Sequence, residues 1–119
     1  MEKIAKKTRD LIKLGKIKII AHAHGDRIKH NYTEKLIYEA FEKGQVFEDV
    51  ELYGKKADSK HKGKNYYCVY FYKVGILYSR GINISYKLKN KVIVIHMSPT
   101  GGIERKKYKE RLKYLALKK

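Results

Sequence analysis

The chain has no tryptophan, one proline, one cysteine and only 12 acidic residues in 119. A single cysteine, Cys68, excludes an internal disulfide framework, and this is the usage of an intracellular, cytoplasmic protein. No apolar run approaches the roughly 20 residues that span a bilayer, and the amino terminus lacks the apolar block of a secretory signal, so a membrane partner is not expected. With one proline and one glutamine beside heavy use of Lys, Ile and Tyr, the composition resembles that of a heat-adapted (thermophile) proteome. A length of 119 residues accommodates one domain, with a core of one sheet and two or three helices but not two lobes.

What the chain has in abundance is positive charge. Lys and Arg number 29, giving a formal net charge of +17 and a basic protein whose default partner is an anionic polymer. The charge is unevenly spread. Glu34, Glu39, Glu42, Glu48, Asp49 and Glu51 are half of all the acids and fall between residues 34 and 51, where only Lys35 and Lys43 oppose them. That segment should face away from a phosphate backbone, or meet a protein partner. Residues 1–18 and 103–119 are strongly basic and supply the candidate polyanion surface.

Three runs rich in Tyr, Val, Ile and Phe suit a pleated, half-buried surface: residues 65–73 (NYYCVYFYK), 76–87 (ILYSRGINISYK) and 92–97 (VIVIHM). Short breaks at Gly75 and at Lys89-Asn90 make an antiparallel meander the simplest arrangement, with Asn90 offering a left-handed turn. Residues 16–21 read as a further strand and residues 46–52 as a short edge strand. Ile4, Thr8, Leu11 and Ile12 recur at helical spacing in a first helix over 1–15, ended by Gly15. Thr33 opens the clearest helix, 33–43, whose apolar face is Leu36, Ile37, Ala40 and Phe41, with Gly44 after it. A basic helix at 103–117 carries Tyr108, Leu112, Leu115 and Ala116 on one stripe. Residues 22–30 and 53–64 read as polar loops. The order predicts one α+β domain: an antiparallel meander sheet over 16–97 with the 33–43 helix inserted, and helices packed on one face. The other face would then present tyrosines and lysines, a combination that stacks on unpaired bases and meets phosphates.

The segment 22–30 holds three of the five histidines, His22, His24 and His30, with Asp26 and Arg27. Two chemistries compete for it. His22, His24 and Asp26 offer nitrogen and oxygen donors for a metal-dependent hydrolase or nuclease, similar in part to the metallo-β-lactamase motif. Alternatively, RNA is cleaved without a cofactor through its own 2′-hydroxyl, which needs a base, an acid and cations on the phosphate. His22, Arg27, Arg80 and His96 are the candidate catalytic residues for that chemistry, with no metal. Tyr86, Lys91, Arg105, Lys106 and Lys109 are the candidate nucleic-acid contacts. Glycine after Arg80 inside a strand suggests a bulge that re-aims Arg80, or a bend. A non-catalytic module that binds nucleic acid through its basic helix and Tyr-rich sheet is the alternative from another class.

The pattern resembles the BrnT-type toxins and the related small His-Ala…Arg domains of the RelE/ParE-like superfamily. The match comprises His22-Ala23 with Arg27 after a short strand, a helix with Ala40 leading to Gly44-x-Val46-x-Glu48, a long meander, and Glu104-Arg105 with Tyr108. It covers roughly residues 19 to 110, and departs from the family pattern at Met97-Ser98-Pro99, where such chains carry arginines. The resemblance implies a RelE/ParE-like fold with a curved sheet. It also implies an endoribonuclease of the messenger-RNA interferase kind, silenced by an acidic antitoxin protein in a toxin-antitoxin pair. His22, Arg27, Glu104 and Arg105 carry over as signature positions.

Overall fold

The computed structural model describes residues 2–54, 65–76 and 78–118. The elements in order are α1 (Glu2–Lys13), β1 (Ile17–Ile19), α2 (Ala21–Lys29), α3 (Glu34–Lys43), β2 (Gln45–Glu48), α4 (Asp49–Tyr53), β3 (Asn65–Val74), β4 (Tyr78–Leu88), β5 (Val92–Pro99) and α5 (Gly102–Leu117). They build an α+β fold on one five-stranded mixed sheet of order β1-β5-β4-β3-β2. The meander is β3-β4-β5, all antiparallel, while β1 runs parallel to β5. Most of the loop expected at 53–64 lies outside the described residues.

Two local expectations change. Residues 22–30 are helical rather than a loop, because Ala21 and Ala23 are strong helix formers and the His24 N–H reaches back to the Ile20 carbonyl at 3.0 Å. Residues 46–52 are half strand and half helix: Glu48 and Glu51 form a reciprocal capping box that turns the chain into α4. The Lys89-Asn90 turn needs no left-handed residue. Among the described residues the only non-glycine with positive φ is Asn31, at 56°.

Alternation along the strands sorts the core onto both faces of the sheet. Tyr66, Cys68, Ile82, Ile84, Tyr86, Val92, Val94 and Met97 turn toward α1, α2 and α3, where they meet Ala23, Ile37, Ala40 and Phe41. Phe47, Leu52 and Val69 form a smaller cluster on the opposite face, with Tyr67, Phe71 and Tyr108 packed against it. The expectation of helices on one face is therefore corrected. α4 and α5 cover part of the second face, held by Tyr108 edge-on to Phe71 and by Arg111 over the Phe47 ring at 4.2 Å. Burial of each large apolar side chain in these clusters contributes about 1.5–3 kcal/mol. No helix among the described residues is long and apolar enough to cross a membrane.

Gly81 is not at a bulge. Pairing runs without a break from Tyr78 to Lys87 against β3, and a Cβ at Gly81 would collide with Phe71 and Thr100. The glycine lets the chain after β5 cross closely over β4, where the Thr100 N–H bonds the Gly81 carbonyl at 3.2 Å. The bulge lies elsewhere, between Ser85 and Tyr86 on β4, where the partner on β5 jumps from His96 to Val94.

Candidate functional site

That bulge makes the site. Val92 and Val94 both point into the core, and unbroken alternation would send His96 inward after them. The extra residue, Ile95, resets the phase, so that Met97 takes the core position and His96 emerges at the sheet margin with its side chain half exposed.

β1 covers only the first part of β5, through Ile17↔Val92 to Ile19↔Val94. Beyond it α2 takes over as the neighbour of β5, and Asp26 accepts the Met97 N–H at 3.0 Å, as a strand carbonyl would. The same carboxylate oxygen lies 2.7 Å from His96 Nδ1 and 3.7 Å from His22 Nε2. His22 precedes Asp26 by four residues, one helical turn, so both project from one face of α2. The two imidazole rings stack with centroids 5.4 Å apart, and His22 Nε2 stands 3.3 Å from His96 Nδ1. Asp26 is sheltered, its side chain 14% exposed, whereas His22 and His96 open to solvent. An anion behind two solvent-facing imidazoles fixes their orientation.

The turn after α2 brings in a tyrosine. Asn31 adopts the left-handed conformation, its N–H bonds the Ile28 carbonyl and the Tyr32 N–H bonds the Arg27 carbonyl at 2.9 Å, a Schellman closure. Arg27 then donates from Nε to the Tyr32 carbonyl at 3.0 Å. Arg27 thus braces the turn that places Tyr32. Burial pushes the Tyr32 phenol up to about 12; Tyr72 and Asp26 add to the rise and Arg80 opposes it. The phenol stays protonated at neutral pH and can only donate or share its proton as a neutral group. Arg80, exposed on β4 directly across from Tyr72, brings a permanent cation within electrostatic reach of it.

Of the four candidate catalytic residues, the structure brings His22 and His96 together, sets Arg80 within electrostatic reach of Tyr32, and gives Arg27 a bracing role. His24 faces away, on a separate depression lined by Ile17, Ile19, Glu34, Ile37 and Tyr38. The donors gathered at one point are His22, Asp26 and His96, not His22, His24 and Asp26.

The candidate nucleic-acid contacts do not converge there. Tyr86 is fully buried: its hydroxyl donates to Thr8 Oγ1 at 2.9 Å, and Thr8 in turn donates to the Ile4 carbonyl. Tyr86 is a core residue and is withdrawn as an RNA contact. Lys91 sits in the β4–β5 connection, at the other end of β5 from His96, on the order of 15 Å of strand away. Lys106 and Lys109 are exposed on α5, and Arg105 lies over the Phe71 ring at 4.7 Å on the opposite sheet face from Tyr72 and Arg80. Glu104, a signature position of the resemblance, accepts hydrogen bonds from Tyr53, Asn83 and the Gly101 N–H, and so anchors the start of α5.

Asp26 and Tyr32 are the members of the site that the metal-free set omitted. With residues 22–30 read as a loop, the four-residue spacing from His22 to Asp26 carried no directional meaning. The alanines flanking His22 were the signal for a helix. No protein-family model, curated protein or solved structure matches the chain.

Proposed function

We propose that the protein is an RNA-directed endoribonuclease that works without a metal, by acid and base catalysis at His96 and His22. The observation that carries this is the close Asp26–His96 pair, 2.7 Å from carboxylate oxygen to Nδ1, with His22 hydrogen-bonded alongside. Asp26 holds the Nδ1 proton of His96, which leaves Nε2 as the ring atom able to accept a proton from a 2′-hydroxyl. As that proton arrives, the imidazolium is held by the carboxylate behind it. His22, the more exposed of the two, is placed to return a proton to the departing 5′-oxygen. Arg80 opposes the charge that builds on the phosphate, and the Tyr32 phenol adds a neutral donor. The net charge of +17 draws the polyanion to the surface.

Membership of the BrnT-type branch, with its RelE/ParE-like fold, belongs to the same proposal. So do a toxin role in the cytoplasm, messenger or other single-stranded RNA as substrate, and an acidic antitoxin as partner. The placement of His22-Ala23 directly after β1, the antiparallel β3-β4-β5 run and the basic carboxy-terminal helix support it.

The test is incubation of labelled single-stranded RNA with the protein, with and without chelator, beside His22→Ala and His96→Ala. Cleavage that survives chelator and drops about 100-fold or more in each variant is expected, which is the ordinary scale of an acid or base contribution. Tight binding with no cleavage in any lane points instead to a non-catalytic binding module.

A further inference from the structure

The three atoms His22 Nε2, Asp26 Oδ2 and His96 Nδ1 converge on a single point, all within 4.8 Å of one another. Each becomes a lone-pair donor toward the others once the proton it shares or holds there is displaced. A tetrahedral ion with ligand bonds of about 2.0–2.2 Å sets its donor atoms about 3.4 Å apart. Two of the separations here, 3.3 and 3.7 Å, already match that spacing within a few tenths of an ångström. The third, 2.7 Å, is the close His96–Asp26 ion-pair contact. It has to open by about 0.7 Å, which follows once the Nδ1 proton that draws the two atoms together is replaced by the ion.

The surroundings favour such a replacement. Asp26 is fixed by the Met97 N–H, the kind of outer hydrogen bond that orients a ligating carboxylate. His22 and Asp26 come from one helical turn, and His96 from the bulged strand beside it, so the frame does not have to assemble around the ion. Both imidazoles are open to solvent, and three protein ligands leave at least one position to water.

We propose that His22, Asp26 and His96 bind one divalent transition-metal ion of the Zn2+ class, and that its occupation switches off the RNA cleavage proposed above. Binding at Nδ1 moves the one ring proton of His96 to Nε2, which can then no longer accept the 2′-hydroxyl proton, and binding at His22 Nε2 releases that nitrogen's proton to solvent, leaving a neutral ring with no acidic proton to return. The regulatory half rests on the proposed acid and base role of these histidines. The metal site itself does not.

The test uses the full chain stripped of metal. Co2+ is titrated in and the visible absorption of the coordinated ion recorded, with Zn2+ then added as competitor. Saturation at one equivalent is expected, with His22→Ala and His96→Ala each weakening binding about 100-fold or more and His24→Ala leaving it unchanged. His22 and His96 are solvent-facing, and a single cooperative melting transition confirms that the variants are folded. Binding that is not saturable, or that is indifferent to both variants, overturns the site. Cleavage of single-stranded RNA is then compared with and without one equivalent of Zn2+. Loss of cleavage on loading, restored by chelator, supports the switch. Cleavage that appears only with Zn2+ overturns the switch and the metal-free mechanism together while leaving the site standing. No cleavage in either state, with one-equivalent binding intact, removes the proposed ribonuclease function and the switch with it, but not the site.

Discussion

Asp26 is where structure and chemistry can be separated by two substitutions. Its Oδ2 accepts the Met97 N–H and faces His96 Nδ1, in a position only 14% exposed. Asp26→Ala leaves a sheltered strand N–H without an acceptor, at about 1–3 kcal/mol, and removes a charge-assisted bond to His96 of about 1.5–3 kcal/mol. Because the two share one carboxylate they do not simply add, and the expected loss is about 2–4 kcal/mol. For a chain of this length a loss of that size lowers the melting temperature by about 8–16 °C. In Asp26→Asn an amide oxygen in the same place still accepts both N–H groups, and only the charge is gone. Stability should then fall by about 1 kcal/mol, or about 4 °C, since neutral hydrogen bonds are roughly half as strong as charged ones. Cleavage should nevertheless fall by about 100-fold, because the imidazolium formed at His96 has lost its counter-charge. Thermal unfolding and RNA cleavage of the two variants, measured side by side, are the assay. Full cleavage by Asp26→Asn would show that the carboxylate takes no part in the proton chemistry, and an unchanged melting temperature in Asp26→Ala would remove its structural role.

Three further outcomes follow from the packing. Gly44→Ala should destabilise the fold by about 1–3 kcal/mol in denaturant unfolding, because the added methyl meets the Val69 carbonyl at 2.8 Å and Cys68 Sγ at 2.9 Å; an unchanged midpoint would contradict that close approach. Tyr86→Phe should cost about 0.5–1.5 kcal/mol of stability, through the lost Thr8 bond, with RNA affinity unchanged, and weakened binding in a filter assay would return Tyr86 to the RNA surface. The phenols of Tyr32 and Tyr67 are pushed up to about 12, mainly by burial. Folding holds their protons where the unfolded chain begins to release them near 10, so stability is intact below pH 10 and falls as pH rises from about 10 to 12. A melting temperature that is flat across that interval would mean these rings ionise freely in the native protein.

The sequence was most legible where pattern and chemistry agreed. The spacing of Leu36, Ile37, Ala40 and Phe41 behind Thr33 defined α3, whose Thr33 side chain accepts the Leu36 N–H as a cap should. Gly15 marked the end of the first helix and Gly75 the break between two strands, and both have positive φ. The three aromatic runs were the three long strands. What was hidden depended on contacts distant in the chain. A bulge has no composition of its own, and nothing in VIVIHM says that Ile95 is the extra residue that turns His96 out of the core. Gly81 looked like an irregularity of its own strand because the Thr100 that needs the space lies 19 residues on. The covering of the second sheet face by α5 was masked by the stripe itself. Tyr108 packs on Phe71, but Leu112 and Ala116 remain exposed, so helical spacing alone did not say how much of the stripe is buried.

The central claim is that His96, backed by Asp26, takes the proton of an RNA 2′-hydroxyl. The most direct measurement is to incubate the protein, in chelator, with a single-stranded RNA and with its counterpart carrying 2′-deoxyribose at the cleaved position, and to analyse the product ends. Cleavage of the first to a 2′,3′-cyclic phosphate, none of the second, and loss of the reaction in His96→Ala are the predicted results. Cleavage of the deoxy substrate, or cleavage undiminished in His96→Ala, would contradict the account.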